Sequence, residues 1–555
     1  MAGGSVVPGG RGNRPSRSGV DNGFGRSIRV DAVDASTAIS TGGNEGIMSR
    51  SEDTILVLAG ALADDVLGPQ VGALDLGVTD LAAEAPFELL DDFNGSVRGA
   101  GQLLIETGRC LILHQTDGVM AQKAGRPGNF VADLAEGPVR AALQRVSPLR
   151  SLLSVGSGTI SSRQLSLTDD EGKTQVRARL TTLQPKGDGA PVTFAALQGL
   201  RGYDRALDAL RGHLEAAAAP GADSVAAVAP LLFPAHVPYV AKPDVPVAGD
   251  DTAWRAANDI ITAYLRVARS NEVGIIADHD TEFLHDYRVA LRKVRSVISL
   301  FKGVYSDDQT AALKQAASDL MAPTGRLRDL DVYLLARDDY FAMLPASLHQ
   351  GLELMFAMFA KERRRAHKAV AANLRSAAHD RAMSDLQALF DAPDRPVKGP
   401  EADHQVQDYA RQLIWKRYRK VCRIAREITA QTPDTQVHEL RILCKKLRYL
   451  MEFFAPLFPA DAVKPLLKPL KALQDNLGLF NDYSVQQVAL RDFMEAHEPI
   501  GQKQDLVLAQ SIGALIAVLH ERQKEERARI MSSFALFDSA EVRAEFRTLF
   551  HGKET

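Results

Sequence analysis

The sequence is poor in cysteine and has no long apolar run. Its 555 residues include three cysteines, Cys110, Cys422 and Cys444, none of which forms a CxxC pair. We therefore expect neither a disulfide framework nor a cysteine-based zinc site, which suits a reducing compartment. No apolar stretch approaches the roughly 18–20 residues that cross a bilayer, and the opening MAGGSVVPGG lacks the apolar core of a secretory signal. We predict a cytoplasmic protein with no membrane partner.

The chain also lacks a large net charge, since its formal charge is −3 at pH 7. Residues 251–555 contain 44 Lys and Arg against 41 Asp and Glu, and the remainder contains 22 against 28. This balance gives no global attraction to nucleic acid, so a site for a polyanion has to be a local patch. Few aromatic residues accompany the basic ones, with Trp415 and Tyr418 as the best stacking candidates, so we do not expect a nucleic-acid partner.

Composition divides the chain into four parts. Residues 1–50 are rich in Gly, Ser and Arg and are predicted to be a disordered tail. Residues 51–215 contain strand-like runs such as TILVLAG and TQVRARLTTLQ between turn signals, which predicts an α+β domain with an antiparallel sheet or barrel. Residues 216–250 are rich in Ala and Pro and are predicted to be an extended linker. Residues 251–550 have helical periodicity almost throughout and are predicted to be all-α.

An internal repeat divides the helical part into two units. HDYRVALRKVRSVISLFKGVY, which begins at His285, aligns without a gap on HELRILCKKLRYLMEFFAPLF, which begins at His438. The same offset of 153 residues places RDLDV on NDYSV. One register over this span predicts duplicated units at about 251–397 and 404–550, each a four-helix bundle.

Each repeat has a histidine and three cations on one side of a helix. The first half-stripe consists of His285, Arg288, Arg292 and Arg295. The second half-stripe consists of His438, Arg441, Lys445 and Arg448. The spacing i, i+3, i+7, i+10 places four side chains within an arc of about 80° on an α-helix. Like charges in such a row destabilise an isolated helix by a few tenths of a kcal/mol per pair, so the row requires an anion from elsewhere.

That anion is either a carboxylate on a neighbouring helix, with Asp329 and Asp482 as candidates, or a ligand. A solvated face or an internal ion-pair seam is the usual meaning of a single basic stripe. Two stripes in one register, with the basic runs KERRRAHKAVAANLR and RQLIWKRYRKVCRIAR nearby, favour a polyanion-binding bundle instead. Arginine forks suit phosphate oxygens, and phosphate favours a protonated histidine. The histidines could also orient their helices, with Thr281 and Asp434 as candidate caps.

These residues resemble the conserved-histidine α-helical domain, the CHAD family, over roughly residues 251–550. The shared features are the HxxRxxxRKxR and HxxRxxxKKxR helices, the LRDLDV turn, the LQDNLGLFND segment and two halves in tandem. The resemblance implies two tandem four-helix bundles with a basic concave surface that binds inorganic polyphosphate. It also implies association with polyphosphate granules, where granule proteins would be further partners. By this resemblance, the residues that match the motif are expected to bind polyphosphate: His285, Arg288, Arg292, Lys293, Arg295, His438, Arg441, Lys445, Lys446 and Arg448.

The preceding domain resembles a degenerate CYTH domain, the triphosphate tunnel fold. FNGSVRGAGQLLIETGRCLILHQTDG and LTDDEGKTQVRARLTTLQ carry this resemblance. The family's Glu-x-Glu-x-Lys motif is absent, because the first strand reads TILVLAG, and hard cations need such carboxylates. Arg177 and Arg179 alternate toward a tunnel interior but make no metal site. We therefore predict no catalytic residue, metal or cofactor.

The alternative enzyme is a CYTH-type triphosphatase or phosphohydrolase that acts on polyphosphate or triphosphates. Another alternative is an adaptor whose basic face docks an acidic partner.

Overall fold

The structure is a computed structural model that describes residues 54–551, except for residues 109, 117, 126–127, 223, 393–394 and 430. The predicted disordered tail, residues 1–50, lies outside the described residues. An antiparallel sheet comes first in the chain, and helices follow it to the end of the described part. The predicted order of an α+β domain and an all-α domain is therefore confirmed.

The first domain is built on one sheet. Its strands are β1 Thr54–Ala59, β2 Gln70–Val71, β3 Leu74–Asp92, β4 Leu103–Thr107, β5 Cys110–Gln115, β6 Gly118–Lys123, β7 Leu152–Thr168, β8 Thr174–Pro185 and β9 Val192–Gly199. The sheet order is β1-β9-β8-β7-β3-β4-β5-β6, with β2 paired to β3, and all pairs are antiparallel. The helices of this domain are α1 Asp64–Leu67, α2 Ser96–Gly99, α3 Pro138–Ala142, α4 Asp204–Ala217 and α5 Val225–Leu232.

Helices cover both faces of the sheet. Successive side chains of a strand point to opposite faces, so each strand provides apolar residues to both sides. On one face of β8, Val176 and Leu180 belong to the same buried cluster as Leu210 of α4. The sheet also curls, as a contact between two strands that are not neighbours shows. His114 on β5 stacks on Phe194 on β9, with ring centroids 3.9 Å apart. The domain is therefore a curled half-barrel, as the CYTH-like resemblance implied.

The Ala/Pro-rich segment 216–250 contributes to this domain. Its helix α5 includes Pro230 and buries Val228 and Leu232 in a cluster on the concave face of the sheet, with Phe87 and Phe194. Proline near the end of so short a helix is tolerated, because this packing offsets the lost hydrogen bond. The segment begins with the last two residues of α4, and residues 233–250, which follow α5, form no helix or strand.

The second domain is all-helical. Its helices are α6 Ala253–Ala277, α7 Thr281–Leu300, α8 Asp307–Met321, α9 Gly325–Leu335, α10 Arg337–Met343, α11 His349–Leu374, α12 Ala377–Asp391, α13 Val406–Arg426, α14 Asp434–Phe453, α15 Ala460–Glu495, α16 Gln502–Phe537 and α17 Ala540–Phe550. Equivalent helices of the two repeats begin in one register, at residues 253 and 406, 281 and 434, 307 and 460, and 349 and 502. The helices of the two repeats therefore begin 153 residues apart, which is the same spacing as that of the sequence motifs.

The repeats share one core. Phe301 and Phe454, which occupy equivalent positions, stack with centroids 4.7 Å apart and an interplanar angle of 19°. Leu291 and Val297 of α7 belong to the same buried cluster as Leu447 of α14. Because equivalent residues meet each other, this contact lies near a pseudo-two-fold axis between the repeats.

The predicted helix caps are wrong. Asp280 caps α7, since its Oδ1 accepts from the backbone N–H of Glu282 at 2.9 Å and of Phe283 at 3.3 Å. Thr281 is already the first helical residue, so its hydroxyl cannot reach those donors. Asp434 is likewise the first residue of α14, and its carboxylate accepts from the Nε2 of Gln523 at 3.2 Å.

Candidate anion-binding site

The two half-stripes adjoin each other. Arg292 on α7 and Lys445 on α14 occupy equivalent positions, and these two helices pack together. Burial, followed by the charges of Arg441 and Arg292, lowers the pKa of Lys445. Cations from both repeats therefore act on one another, and the eight half-stripe residues form one surface, which we call the stripe.

In the first half-stripe, the cations become more exposed toward the C-terminal end of α7. Arg288 is half-buried, and its Nη1 donates to the carbonyl of Met321 at 3.2 Å and to Oγ1 of Thr324 at 2.6 Å. Arg292 and Arg295 are exposed and form no ion pair with any described residue. These two guanidinium groups are available to a ligand.

His285 is half-buried at the N-terminal end of the first half-stripe. Burial, followed by the charge of Arg328, lowers its pKa to about 4. The free protein therefore holds this imidazole neutral at neutral pH. An anion bound beside it would oppose both effects and favour its protonated form.

Arg328 of α9 belongs to the site although the sequence did not single it out. Its charge acts on both His285 and Arg288, and its Nη1 is buried without a hydrogen-bond partner among the described residues. A signal for it existed, because the repeat alignment places it on Asn481 in the NDYSV segment. It adds a cation to the first half-stripe that the second half-stripe does not have.

The second half-stripe has more internal partners. His438 is exposed, and its Nδ1 donates to Oδ1 of Asn481 at 2.6 Å. Arg441 pairs with Asp482, with Nη2 3.3 Å from Oδ1, while its Nε is buried without a partner among the described residues. Asp482 is thus one of the neighbouring carboxylates expected from the sequence. Asp329, its equivalent, forms no ion pair with a described residue.

Arg448, at the end of the second half-stripe, is held within the protein. Its Nε is 2.6 Å from Oε1 of Glu452, and its Nη1 donates to Oε1 of Gln474 at 3.1 Å. Arg295, the equivalent residue, has no such partner. The two half-stripes therefore share a motif but differ in how many cations remain unpaired.

Lys293 and Lys446 lie off the stripe. Lys293 pairs with Glu452 of the other repeat, with its Nζ 4.5 Å from the ring centroid of Tyr449 and 5.0 Å from that of Phe453. Lys446 has Arg417 on α13 as a neighbour instead, and that positive charge adds to burial in lowering its pKa. Eight of the ten residues predicted from the motif thus share one surface.

The first domain contacts the start of α7 through Arg150, which is 4% exposed. Its Nη2 is 2.5 Å from Oδ2 of Asp286, and its Nη1 is 3.3 Å from Oδ1 of Asp280. Ser151 also donates to Asp280, from its backbone N–H at 3.0 Å and its hydroxyl at 3.2 Å. These contacts neutralise two carboxylates beside His285. Nothing in the sequence pointed to them.

The two arginines predicted to face a tunnel lie on β8. They are on the same face as Leu183, which belongs to the cluster that α5 covers. Arg177 is exposed and Arg179 is half-buried. Within the described residues, no three His, Cys, Asp or Glu side chains group closely enough to hold a metal ion.

None of the helices in the described part of the chain is long and apolar enough to cross a membrane.

Comparison with known proteins identifies part of the helical domain. The model of the CHAD domain family matches residues 259–491, which confirms the predicted CHAD domain there. The chain is similar to the crystal structure of the CHAD domain from the plant Ricinus communis, with 26% identity and a TM-score of 0.45, over 57% of this chain and 98% of that chain. It is also similar to PptA from Streptomyces chartreusis, with 17% identity and a TM-score of 0.35, over 50% of this chain and 98% of that one. No curated protein matches the sequence.

Proposed function

We propose that this chain, whose residues 259–491 form a CHAD domain, binds inorganic polyphosphate through the stripe and catalyses no reaction. The observation that supports this most is the junction of two cationic half-stripes at equivalent positions, with Arg292 close to Lys445. Neither of these residues forms an ion pair with a described residue. A polyanion laid across the junction would relieve the repulsion between the repeats.

Unpaired hydrogen-bond donors support an oxygen-rich ligand. The Nη1 of Arg328 and the Nε of Arg441 are buried and lack acceptors among the described residues. A buried donor left without an acceptor costs about 1–3 kcal/mol, and a charged one more. Phosphate oxygens would satisfy such donors with charge-assisted bonds once the guanidinium groups turn toward the ligand.

The length of the stripe favours a polymer over a single phosphate. His285 and Arg295 are ten residues apart on α7, which corresponds to about 15 Å along a helix. The second half-stripe has the same length and adjoins the first. We extend the proposal to association with polyphosphate granules, where long polymer is concentrated and granule proteins are further partners.

The interior of the first domain supports a non-enzymatic role. The concave face of the sheet is filled by apolar side chains of α5, including Val228 and Leu232, which pack with Phe87 and Phe194. The first strand, TILVLA, provides no carboxylates for a metal ion. A triphosphatase needs both a polar tunnel and metal ligands. Metal-dependent release of phosphate from tripolyphosphate by the purified chain would contradict this part of the proposal.

The direct test is the affinity of the full-length protein for long-chain polyphosphate. The test variant changes four stripe cations to Ala: Arg288, Arg292, Arg441 and Lys445. The matched control removes four exposed cations of the first domain: Lys123, Lys186, Arg201 and Arg205. Both variants lose the same charge, so a general field effect would weaken binding equally. We expect a loss of about 100-fold or more for the stripe variant alone, and equal losses in both variants would refute the site.

A further inference from the structure

The repeats differ at one pair of equivalent positions off the stripe. In the first repeat this position is closed. Lys293 pairs with Glu452 and lies over the rings of Tyr449 and Phe453. Tyr264 completes the surroundings, with its ring centroid 6.5 Å from that of Phe453. Lys293 thus has a carboxylate partner within the protein, and it shares that carboxylate with Arg448 of the stripe.

The 153-residue offset gives the residues that surround the equivalent position of the second repeat. Lys446 replaces Lys293, Arg417 replaces Tyr264, Ser299 replaces Glu452, Ser296 replaces Tyr449 and Leu300 replaces Phe453. The carboxylate is thus lost, a tyrosine and a glutamate become small serines, and an arginine is added. The second position therefore has more positive charge and less side-chain bulk than the first.

Two cations at this open position lack partners among the described residues. Lys446 and Arg417 are both half-buried, and neither forms an ion pair or side-chain hydrogen bond with any described residue. Lys302 and Lys420 add to the cluster, since burial and then the charges of Arg417, Lys420 and Lys302 lower the pKa of Lys446. Glu439 opposes them in part, at 3.8 Å from the Nζ of Lys420.

The backbone around the cluster is fixed by packing. The Tyr409 hydroxyl on α13 donates to the carbonyl of Lys302 at 2.9 Å, which holds the end of α7 against α13. Helices α13 and α14 pack along each other and carry Arg417 and Lys446. The shared core therefore fixes the positions of the helices that carry these cations.

We propose that Lys446, Arg417, Lys302 and Lys420 form a second anion site, for a phosphoryl group, separate from the stripe. Lys446 and Arg417 are half-buried and have no carboxylate partner among the described residues, so they need an anion with several acceptor oxygens, which a phosphoryl group provides. Ser299 makes no hydrogen bond with a described residue, so its hydroxyl can donate to the anion. Ser296 already donates to the carbonyl of Arg292 at 2.7 Å and contributes space only. The site uses no stripe residue and stands whether or not the stripe binds polyphosphate.

The sharpest test introduces the carboxylate of the closed position at the open position. Ser299→Glu provides Lys446 with the carboxylate that Glu452 provides to Lys293, and Ser299→Gln is the control of equal size without charge. Lys446→Gln removes the central cation by a milder change. Each is made in the full-length stripe variant described above, which removes four of the six stripe cations and so weakens the contribution of the stripe. Binding of tripolyphosphate is then measured by calorimetric titration.

We expect the stripe variant to retain about one tripolyphosphate site per chain. Ser299→Glu and Lys446→Gln should each weaken that site about tenfold or more, as expected for the loss of a charge-assisted contact, and Ser299→Gln should weaken it less. No binding by a folded stripe variant, or unchanged binding in both test variants, would overturn the proposal. The stripe itself is judged by long-chain affinity, so either site can fail alone.

The source of the phosphoryl group is decided by two further titrations. If inorganic phosphate displaces tripolyphosphate from the stripe variant, the site accepts free phosphate. If Lys446→Gln in an otherwise unchanged chain lowers long-chain polyphosphate affinity, the site holds a phosphoryl group of the polymer. Either result supports the site. The site is contradicted if neither result is obtained and if Ser299→Glu and Lys446→Gln also leave tripolyphosphate binding unchanged.

Discussion

The two half-stripes present the same motif in different surroundings. In the first, His285 is half-buried next to Arg328, and its pKa is lowered to about 4. In the second, His438 is exposed and donates to Asn481, the residue equivalent to Arg328. The first half-stripe ends in Arg295, which forms no ion pair with a described residue. The second half-stripe ends in Arg448, which is bound to Glu452 and Gln474. The motif therefore fixes where the cations lie, and neighbouring helices decide how many are free to bind.

The start of each helix also differs between repeats. Asp280 caps α7 and is held by Arg150 of the first domain, whereas Pro433 precedes α14 and provides no side-chain cap. Within the part of the chain that the structure describes, the first domain forms ion pairs with carboxylates at the start of α7 and with none at the start of α14. This contrast gives the largest expected effect of any single substitution.

Arg150→Ala should lower the free energy of unfolding by about 3–5 kcal/mol, because it leaves Asp280 and Asp286 without their buried partner. Urea denaturation measures this. The control is Arg326→Ala, which removes an exposed pair with Glu362 and should cost about 1 kcal/mol or less. Equal losses for both variants would mean that the first domain does not stabilise the start of α7.

Comparison of the half-stripes predicts unequal losses of affinity. Changing Arg288, Arg292 and Arg295 to Ala should weaken long-chain polyphosphate binding about 100-fold. Changing Arg441, Lys445 and Arg448 to Ala should weaken it about tenfold, because two of these cations already have carboxylate partners. The two triple variants remove equal charge and control for each other. The reverse order would show that internal pairing does not set availability.

His285 predicts a pH dependence of stability. Its pKa of about 4 in the folded protein is below the ordinary value of 6.5, so the unfolded chain binds the proton more readily. Stability is therefore lost as the pH falls from about 6.5 to about 4, by about 2 kcal/mol after allowance for partial exposure. His285→Asn should flatten this part of the stability curve. An identical decline in the variant and the wild type would contradict the assignment.

The smallest expected effect comes from exchanging the residues that differ between the half-stripes. Arg328→Asn makes the first half-stripe resemble the second half-stripe and should weaken polyphosphate binding about fivefold. The same change should raise the pKa of His285, which NMR titration measures. Asn481→Arg adds a cation to the second half-stripe and should strengthen binding by a similar factor. An unchanged pKa of His285 in Arg328→Asn would show that burial alone lowers it.

The sequence predicted those parts of the fold and site that depend on local periodicity. Alternation in β8 indicated a sheet, and the common offset of His285 and His438 anticipated equivalent helix starts. Helical spacing likewise placed four cation and histidine positions on one side of each of the two helices. These features follow from the number of residues per turn or per pleat, and no tertiary information is required.

Features that depend on contacts between distant segments could not be predicted in this way. Arg150 reaches α7 only because the first domain packs on the start of that helix, and no sequence pattern encodes that contact. Lys293 and Lys446 match the same motif, yet Lys293 pairs with Glu452 whereas Lys446 has the positive charge of Arg417 beside it. The prolines of segment 216–250 suggested an extended linker, but the apolar residues of α5 fill the half-barrel and stabilise a helix.

The salt dependence of long-chain polyphosphate binding tests the central claim most directly. If the stripe neutralises several phosphates, log affinity falls linearly with log salt concentration, with a slope of about −4 or steeper. Changing Arg288, Arg292, Arg441 and Lys445 to Ala should then reduce the slope by about three to four. A steep slope that persists in this variant would contradict the claim that the paired half-stripes bind the polymer.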